Sequence, residues 1–224
     1  MMTPLTTFYR NRLPHLTPVG GTFFITFRIK DAVPIGCLQR LRQQYYETIG
    51  ALDRGRLTDD AYRKQLFQAR HRYFRGYDEQ LDTGQGSCCY FTDPSVCKIM
   101  LNHLYAQDGL LYELKAFCIM PNHVHLLISL ANQLTDPKGY LLDEHQLQIS
   151  YRPLSEIMRQ LKGASAREIN QHLGRRDSFW QKDSYDHYVR NERAYRNILY
   201  YILHNPVKAG LVQDWREYPY TYCV

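Results

Sequence analysis

A chain of 224 residues can bury a sizeable core, and its length fits one catalytic domain with insertions, expected at residues 50–90 and 132–150, better than two independent domains. The formal charge of +6 is compatible with a polyanionic partner without demanding one, and six cysteines without Cys-x-x-Cys spacing point to reduced thiols in a cytoplasm. No charged-then-apolar leader opens the sequence and no apolar stretch approaches about 18 residues, so neither secretion nor a membrane span is expected.

After an irregular start, residues Thr22 to Ile29 form a β-rich run that Asp31 to Pro34 ends. Leu38, Leu41, Tyr45 and Ile49 then recur at helical spacing, with Gly50 as a stop. A second helix is expected from the cap at Thr58 to about Arg75, and residues 77–86 read as a polar loop. The basic residues of that helix, Arg63, Lys64, Arg70, His71, Arg72 and Arg75, suit either a nucleic-acid groove or a solvated face. Residues Pro94 to Leu104 read as a helix, and Leu110 to Cys118 as a strand that turns through Met120, Pro121 and Asn122. Residues 131–150 have no clear period and are expected as a surface insertion. From Leu154 to Leu173 an apolar stripe of Leu154, Ile157, Met158, Leu161 and Ile169 marks a helix with a basic opposite side. Strand, helices, strand pair and helix in this order predict an α+β fold with an antiparallel sheet covered by helices.

The strand that follows Asn122 carries the chemistry. Side chains alternate along a strand, so His123 and His125 share one face while Val124, Leu126 and Ile128 share the other. Two polar rings in a buried strand must be hydrogen-bonded, exposed in a cleft, or bound to a cation. The pair alone fits satisfied structural histidines as well as ligands.

A second group lies near the C-terminus. Asn191 caps a helix on which Ala194, Ile198, Tyr201 and Asn205 fall on one stripe. Pro206 discourages helical geometry at Asn205, so that residue is expected at a frayed end with its amide free to swing toward a site. Two imidazoles and the amide oxygen of Asn205 would leave positions on Mg²⁺ or Mn²⁺ for phosphate oxygens and water, beside Tyr201 as nucleophile. Among 19 tyrosines a core-packing role competes for Tyr201, and Tyr185, Tyr188, Tyr195 and Tyr200 are the alternatives nearby.

With these residues in place, the sequence resembles the single-tyrosine HUH transposases, and most closely the REP-associated tyrosine transposase branch. The resemblance rests on the stretches 117–127, 154–163, 179–181 with 185–187, and 201–212, together with the strand at Thr22 to Arg28. It implies a ferredoxin-like sheet with the histidines on a central strand and Tyr201 on a C-terminal helix. It also implies cleavage and rejoining of single-stranded or hairpin DNA, dependent on Mg²⁺ or Mn²⁺, through a 5′-phosphotyrosine, by a monomer or a homodimer. By the same resemblance His123, His125 and Asn205 are the metal ligands. Candidate DNA contacts are Arg159, Lys162, Arg167, Arg175, Arg176 and Lys208, each also readable as a solvated charge. The rivals are a nucleic-acid-binding protein that keeps the fold without turnover, and a metal hydrolase that uses water in place of tyrosine.

Overall fold

In the computed structural model, residues 6–10, 14–53, 55–82 and 88–224 are described. The chain divides into two units, residues 1–28 with 90–224, and residues 29–89. The first unit opens with a hairpin, β1 (Thr6–Arg10) against β2 (Pro14–Pro18), where the sequence was expected to be irregular. Prolines at both ends of β2 obscure it as a strand, since they are confined to strand ends and edges.

The centre of this unit is an antiparallel sheet. Its strands are β3 (Thr22–Arg28), β4 (Glu113–Met120), β5 (His123–Ser129), β6 (Tyr185–Tyr188) and β7 (Thr221–Cys223), in the order β6-β3-β5-β4-β7. With α3 (Pro94–Tyr105) and α5 (Leu154–His172) the succession β3-α3-β4-β5-α5-β6 is the ferredoxin-like βαββαβ arrangement. Pro121 and Asn122 form the two-residue turn between β4 and β5, and the turn is anchored where the Phe91 N–H donates to the Pro121 carbonyl at 3.1 Å. Because that turn pairs Met120 with His123, the register places Cys118 beside His125.

One face of the sheet is apolar. Phe23, Ile25, Phe27, Phe117, Ile119, Val124, Leu126 and Ile128 lie on it and are all buried, each contributing about 1.5–3 kcal/mol by burial. Phe27 packs on Trp180, whose indole N–H donates to Ser165 Oγ of α5 at 3.0 Å, and Phe117 packs on Tyr105 of α3. The opposite face carries Phe24, Thr26, Arg28, His123 and His125, and α6 (Glu192–Lys208) packs there against β4 and β5. Asn191 caps α6 by accepting from the Ala194 N–H at 2.9 Å.

Two local expectations are corrected. The stretch without a clear period contains α4 (Glu144–Ser150), set by a reciprocal capping box between Asp143 and Gln146 rather than by an apolar stripe, and none of its residues is buried. Helix α6 does not fray at Asn205 but runs through Pro206 to Lys208, and Asn205 is 1% exposed. A proline disfavours helix at the preceding residue without forbidding it, and here burial of Asn205, Pro206, Ile202 and Leu203 holds the last turn.

The second unit is inserted between β3 and α3 and begins at Ile29, ahead of the expected residue 50. It is a pair of helices, α1 (Ile35–Gly50) and α2 (Asp59–Asp82), with Tyr45 of α1 packed on Tyr73 of α2. Helix α2 continues seven residues beyond Arg75, into the expected loop, whose residues 83–86 lie outside the described residues. Gly76, which reads as a breaker, is a packing position: a Cβ there would lie 2.8 Å from Leu41 Cδ2 of α1. Among the described residues no helix is long and apolar enough to cross a membrane.

Candidate active site

Strand β5 is buried along its whole length, yet it carries two imidazoles on one face. His123 is 1% exposed and His125 is wholly buried, and their Nε2 atoms lie 3.0 Å apart. Each ring is held at its other nitrogen. His123 Nδ1 is 2.6 Å from Asn122 Oδ1, and His125 Nδ1 is 2.8 Å from Thr26 Oγ1 on the neighbouring strand. The two Nε2 atoms therefore point at a common locus, with each ring's orientation set by the hydrogen bond at its Nδ1.

Burial, reinforced by the positive charge of Lys208, pushes the His125 pKa down to about 3. The ring is neutral at pH 7 and keeps a lone pair for coordination. Cys118, its register partner on β4, behaves oppositely. Burial pushes that thiol up to about 12, against a smaller lowering from the Thr221 hydroxyl, so it stays protonated and is a poor ligand.

Helix α6 brings Tyr201 to the same face. Its ring meets His125 edge-on with centroids 5.2 Å apart, and Phe24 is a shared support at 5.8 Å from each of the two rings. Tyr185 of β6 also packs on Phe24, at 6.2 Å. The Tyr201 hydroxyl oxygen is buried. Tyr200, its neighbour in sequence, is 64% exposed and stacks on His204 instead. One turn beyond Tyr201, Asn205 lies on the same side of the helix. Its Oδ1 and Nδ2 are both buried, and neither has a hydrogen-bond partner among the described residues. An amide buried in that way costs about 1–3 kcal/mol, a cost a ligand would offset.

A divalent cation fits this donor set. Two imidazoles and an uncommitted amide oxygen suit Mn²⁺, and also Mg²⁺, which tolerates such ligands less well. The structure thus brings His123, His125 and Tyr201 together, with Asn205 buried in the same helix.

The basic candidates are more dispersed. Arg159, Arg167, Arg176 and Lys208 are exposed, and Arg175 is half-buried with its guanidinium 4.6 Å from the centroid of the Tyr90 ring. Lys162 points its ammonium inward, donating to the carbonyls of Gln181 (2.7 Å) and Lys182 (3.0 Å) and to Ser184 Oγ (3.0 Å). Sequence reasoning missed Thr26, Phe24 and the role of Asn122. Asn122 adjoins the histidines and was legible as a polar neighbour, whereas Thr26 and Phe24 reach the site only through the β3–β5 register.

No protein-family model matches the chain. Over 111 residues it is 32% identical to a Haemophilus influenzae protein that carries the name REP-associated tyrosine transposase, covering 49% of this chain and 58% of that protein. The chain resembles REP-associated tyrosine transposases. The REP-associated tyrosine transposase of Escherichia coli is 26% identical over 110 residues, or 49% of this chain and 53% of that one. The chain therefore spans a little over half the length of the curated relatives it matches. The solved structure of a REP-associated tyrosine transposase bound to a REP hairpin aligns with a TM-score of 0.42 at 17% identity, over 95% of this chain and 80% of that one.

Proposed function

We propose that the protein is a transposase-like enzyme that cuts and rejoins single-stranded or hairpin DNA, with Tyr201 as nucleophile and His123, His125 and Asn205 as ligands to Mg²⁺ or Mn²⁺. The observation that carries this reading is the packing of the Tyr201 ring on His125, 5.2 Å between centroids, in a site already holding a second imidazole. The unsatisfied, buried amide of Asn205 supports it independently. A bound divalent ion would supply Lewis acidity, polarising the scissile phosphate and favouring departure of the leaving oxygen.

The protein's own groups account for the rest. His125 is neutral because it is buried, so it coordinates without first losing a proton. Phe24 and His125 fix the Tyr201 ring and thereby set where its hydroxyl lies. That oxygen attacks phosphorus as the phenol proton leaves. The bond from phosphorus to the 3′-oxygen breaks, that oxygen takes up a proton, and the 5′-phosphate stays on tyrosine. One phosphoester replaces another, so a 3′-hydroxyl can reverse the step without external energy. Exposed Lys208, whose charge reaches His125, and the exposed Arg159, Arg167 and Arg176, with Lys162 and Arg175 as the less accessible candidates, would attract the DNA backbone.

The test is incubation with hairpin-bearing single-stranded DNA and Mn²⁺, followed by denaturing electrophoresis. A covalent protein–DNA adduct is expected with the wild type and none with Tyr201→Phe. Binding without any adduct in the wild type would instead identify a nucleic-acid-binding protein.

A further inference from the structure

Helix α6 buries Ile202, Leu203, Asn205 and Pro206, and its other side faces solvent. At 3.6 residues per turn, Arg193, Arg196, Tyr200, His204 and Lys208 fall on that outer side, within about a third of the helix circumference. In the middle of this stripe the rings of Tyr200 and His204 stack, with centroids 3.8 Å apart and planes 20° from parallel. His204 Nδ1 also donates to the Tyr200 carbonyl at 3.0 Å, which ties the imidazole to the turn that carries the phenol. The imidazole thus covers one face of the Tyr200 ring, and a residue that is 64% exposed leaves the other face to water.

The charges around the ring pair select a partner. Arg193 and Arg196 precede it and Lys208 follows it, all three exposed, while the one acidic residue of α6, Glu192, is bridged to Arg196 at 2.9 Å. Asp214, which lies near His204, is bridged to Arg216 at 2.9 Å. Cations on both sides of a flat, solvent-facing ring match a single-stranded nucleic acid, which offers phosphates and open base faces along the same strand. A duplex stacks its bases on one another and keeps those faces covered. A protein partner would be met by a contiguous apolar patch, whereas the exposed neighbours of Tyr200 on the helix are Arg196 and Asn197.

We propose that Tyr200, backed by His204, is a stacking platform for an unpaired base of the DNA, within about three nucleotides of the phosphate that Tyr201 attacks. Consecutive residues set the two phenols about 100° apart on a cylinder roughly 10–12 Å across, a distance that about three stacked nucleotides span. A base held on Tyr200 fixes the course of the single strand past the site. This rests on the nucleophile proposed above and adds to it a residue that touches neither the metal nor the reacting phosphate.

The test uses the full chain and two fluorescein-labelled probes, a DNA hairpin with single-stranded tails on both ends and a blunt duplex of the same stem. Fluorescence anisotropy gives the affinity of the wild type, Tyr200→Ala and Tyr200→Phe for each. Position 200 is exposed and alanine is the best helix former, so Tyr200→Ala is expected to fold. It should bind the tailed hairpin roughly 5- to 150-fold more weakly and the blunt duplex as the wild type does, while Tyr200→Phe, which keeps the ring, stays close to the wild type on both. Tails carrying 5-iodouracil are also irradiated on the wild type, and peptide mass spectrometry is expected to find a cross-link at Tyr200. Undiminished affinity of Tyr200→Ala for the tailed hairpin, an equal loss on both probes, or a Tyr200→Phe as weak as Tyr200→Ala overturns the platform and leaves Tyr201 to its own adduct test. A wild type that binds neither probe overturns the DNA reading and this proposal together. Should Tyr200→Ala fail to fold, the cross-link decides, and its absence from Tyr200 overturns the proposal.

Discussion

The ring of Tyr201 meets that of His125 at an interplanar angle of 71° and that of Phe24 at 85°, so the phenol is supported on two sides through its ring, contacts that a phenylalanine retains. Replacing Tyr201 by Phe should therefore preserve the fold, with a change in stability of no more than about 1 kcal/mol. Adduct formation should vanish while affinity for the oligonucleotide persists, and Tyr200→Phe should behave as the wild type because Tyr200 is turned to solvent. Urea unfolding, gel analysis of adducts and fluorescence anisotropy measure the three quantities. Continued strand cleavage by Tyr201→Phe, with loss of cleavage in His125→Ala, would mean that water is the nucleophile.

Lys162 provides a test of how the loop before β6 is held. Its ammonium serves three acceptors at Gln181, Lys182 and Ser184, and Lys162→Met should cost about 1–3 kcal/mol at neutral pH by leaving carbonyls unsatisfied. Burial lowers its pKa from 10.5 to about 8, with Asp183 opposing the shift and Arg28 adding to it. Between those values the unfolded chain holds a proton that the folded protein has shed. Unfolding then takes up a proton, so stability rises with pH across this window. The advantage of the wild type over Lys162→Met should accordingly widen between pH 8 and pH 10 in urea titrations. A constant or shrinking difference would mean that the ammonium is not desolvated.

The helices carrying long apolar stripes and the two strands flanking Pro121 were legible because their signals are local. Leu154, Ile157, Leu161 and Ile169 repeat at helical spacing and are buried on α5 as that spacing requires. The elements that escaped depend on other physics. Helix α4 is fixed by two capping hydrogen bonds, and α2 passes Gly76 because a second helix closes on it. The site divides in the same way. His123, His125, Tyr201 and Asn205 are distinguished by spacing and chemistry within single elements. Thr26 lies 99 residues from His125 and is one threonine in an ordinary strand until β3 and β5 pair. Asn205 shows the reverse error, since the proline beside it outweighed, in sequence terms, the burial that keeps it helical.

The buried imidazole of His125 makes stability depend on acidity. Its pKa falls from 6.5 to about 3 on folding, through burial first and Lys208 second. Between those values the unfolded chain binds a proton that the folded protein refuses. Stability contributed by the neutral ring is present above pH 6.5 and is lost as pH falls toward 3, with a slope of up to about 1.4 kcal/mol per pH unit. The stability of the wild type should thus fall more steeply with acid than that of His125→Gln, which has no such group. Denaturant unfolding at pH 7, 6, 5 and 4 gives the two slopes. Equal slopes would show that the ring titrates normally in the folded protein.

Asn205 should display opposed effects on stability and binding. Its amide is buried without a hydrogen-bond partner among the described residues, so Asn205→Leu, of similar size, removes a desolvation cost and should stabilise the fold in the absence of added metal by about 1–3 kcal/mol. On the proposed ligand set the same change also deletes an oxygen donor to the metal. For the wild type, Mn²⁺ at 100 times its dissociation constant should add about 2.7 kcal/mol, because a ligand that binds only the folded state stabilises it by mass action. In Asn205→Leu that increment should shrink sharply at the same Mn²⁺ concentration. Thermal unfolding with and without Mn²⁺ separates the two terms, since the first is read in chelator and the second as the difference on adding metal. A variant less stable than the wild type in chelator would mean that the amide is satisfied in solution. One that keeps the full Mn²⁺ increment would remove Asn205 from the ligand set and leave the imidazoles to hold the ion without it.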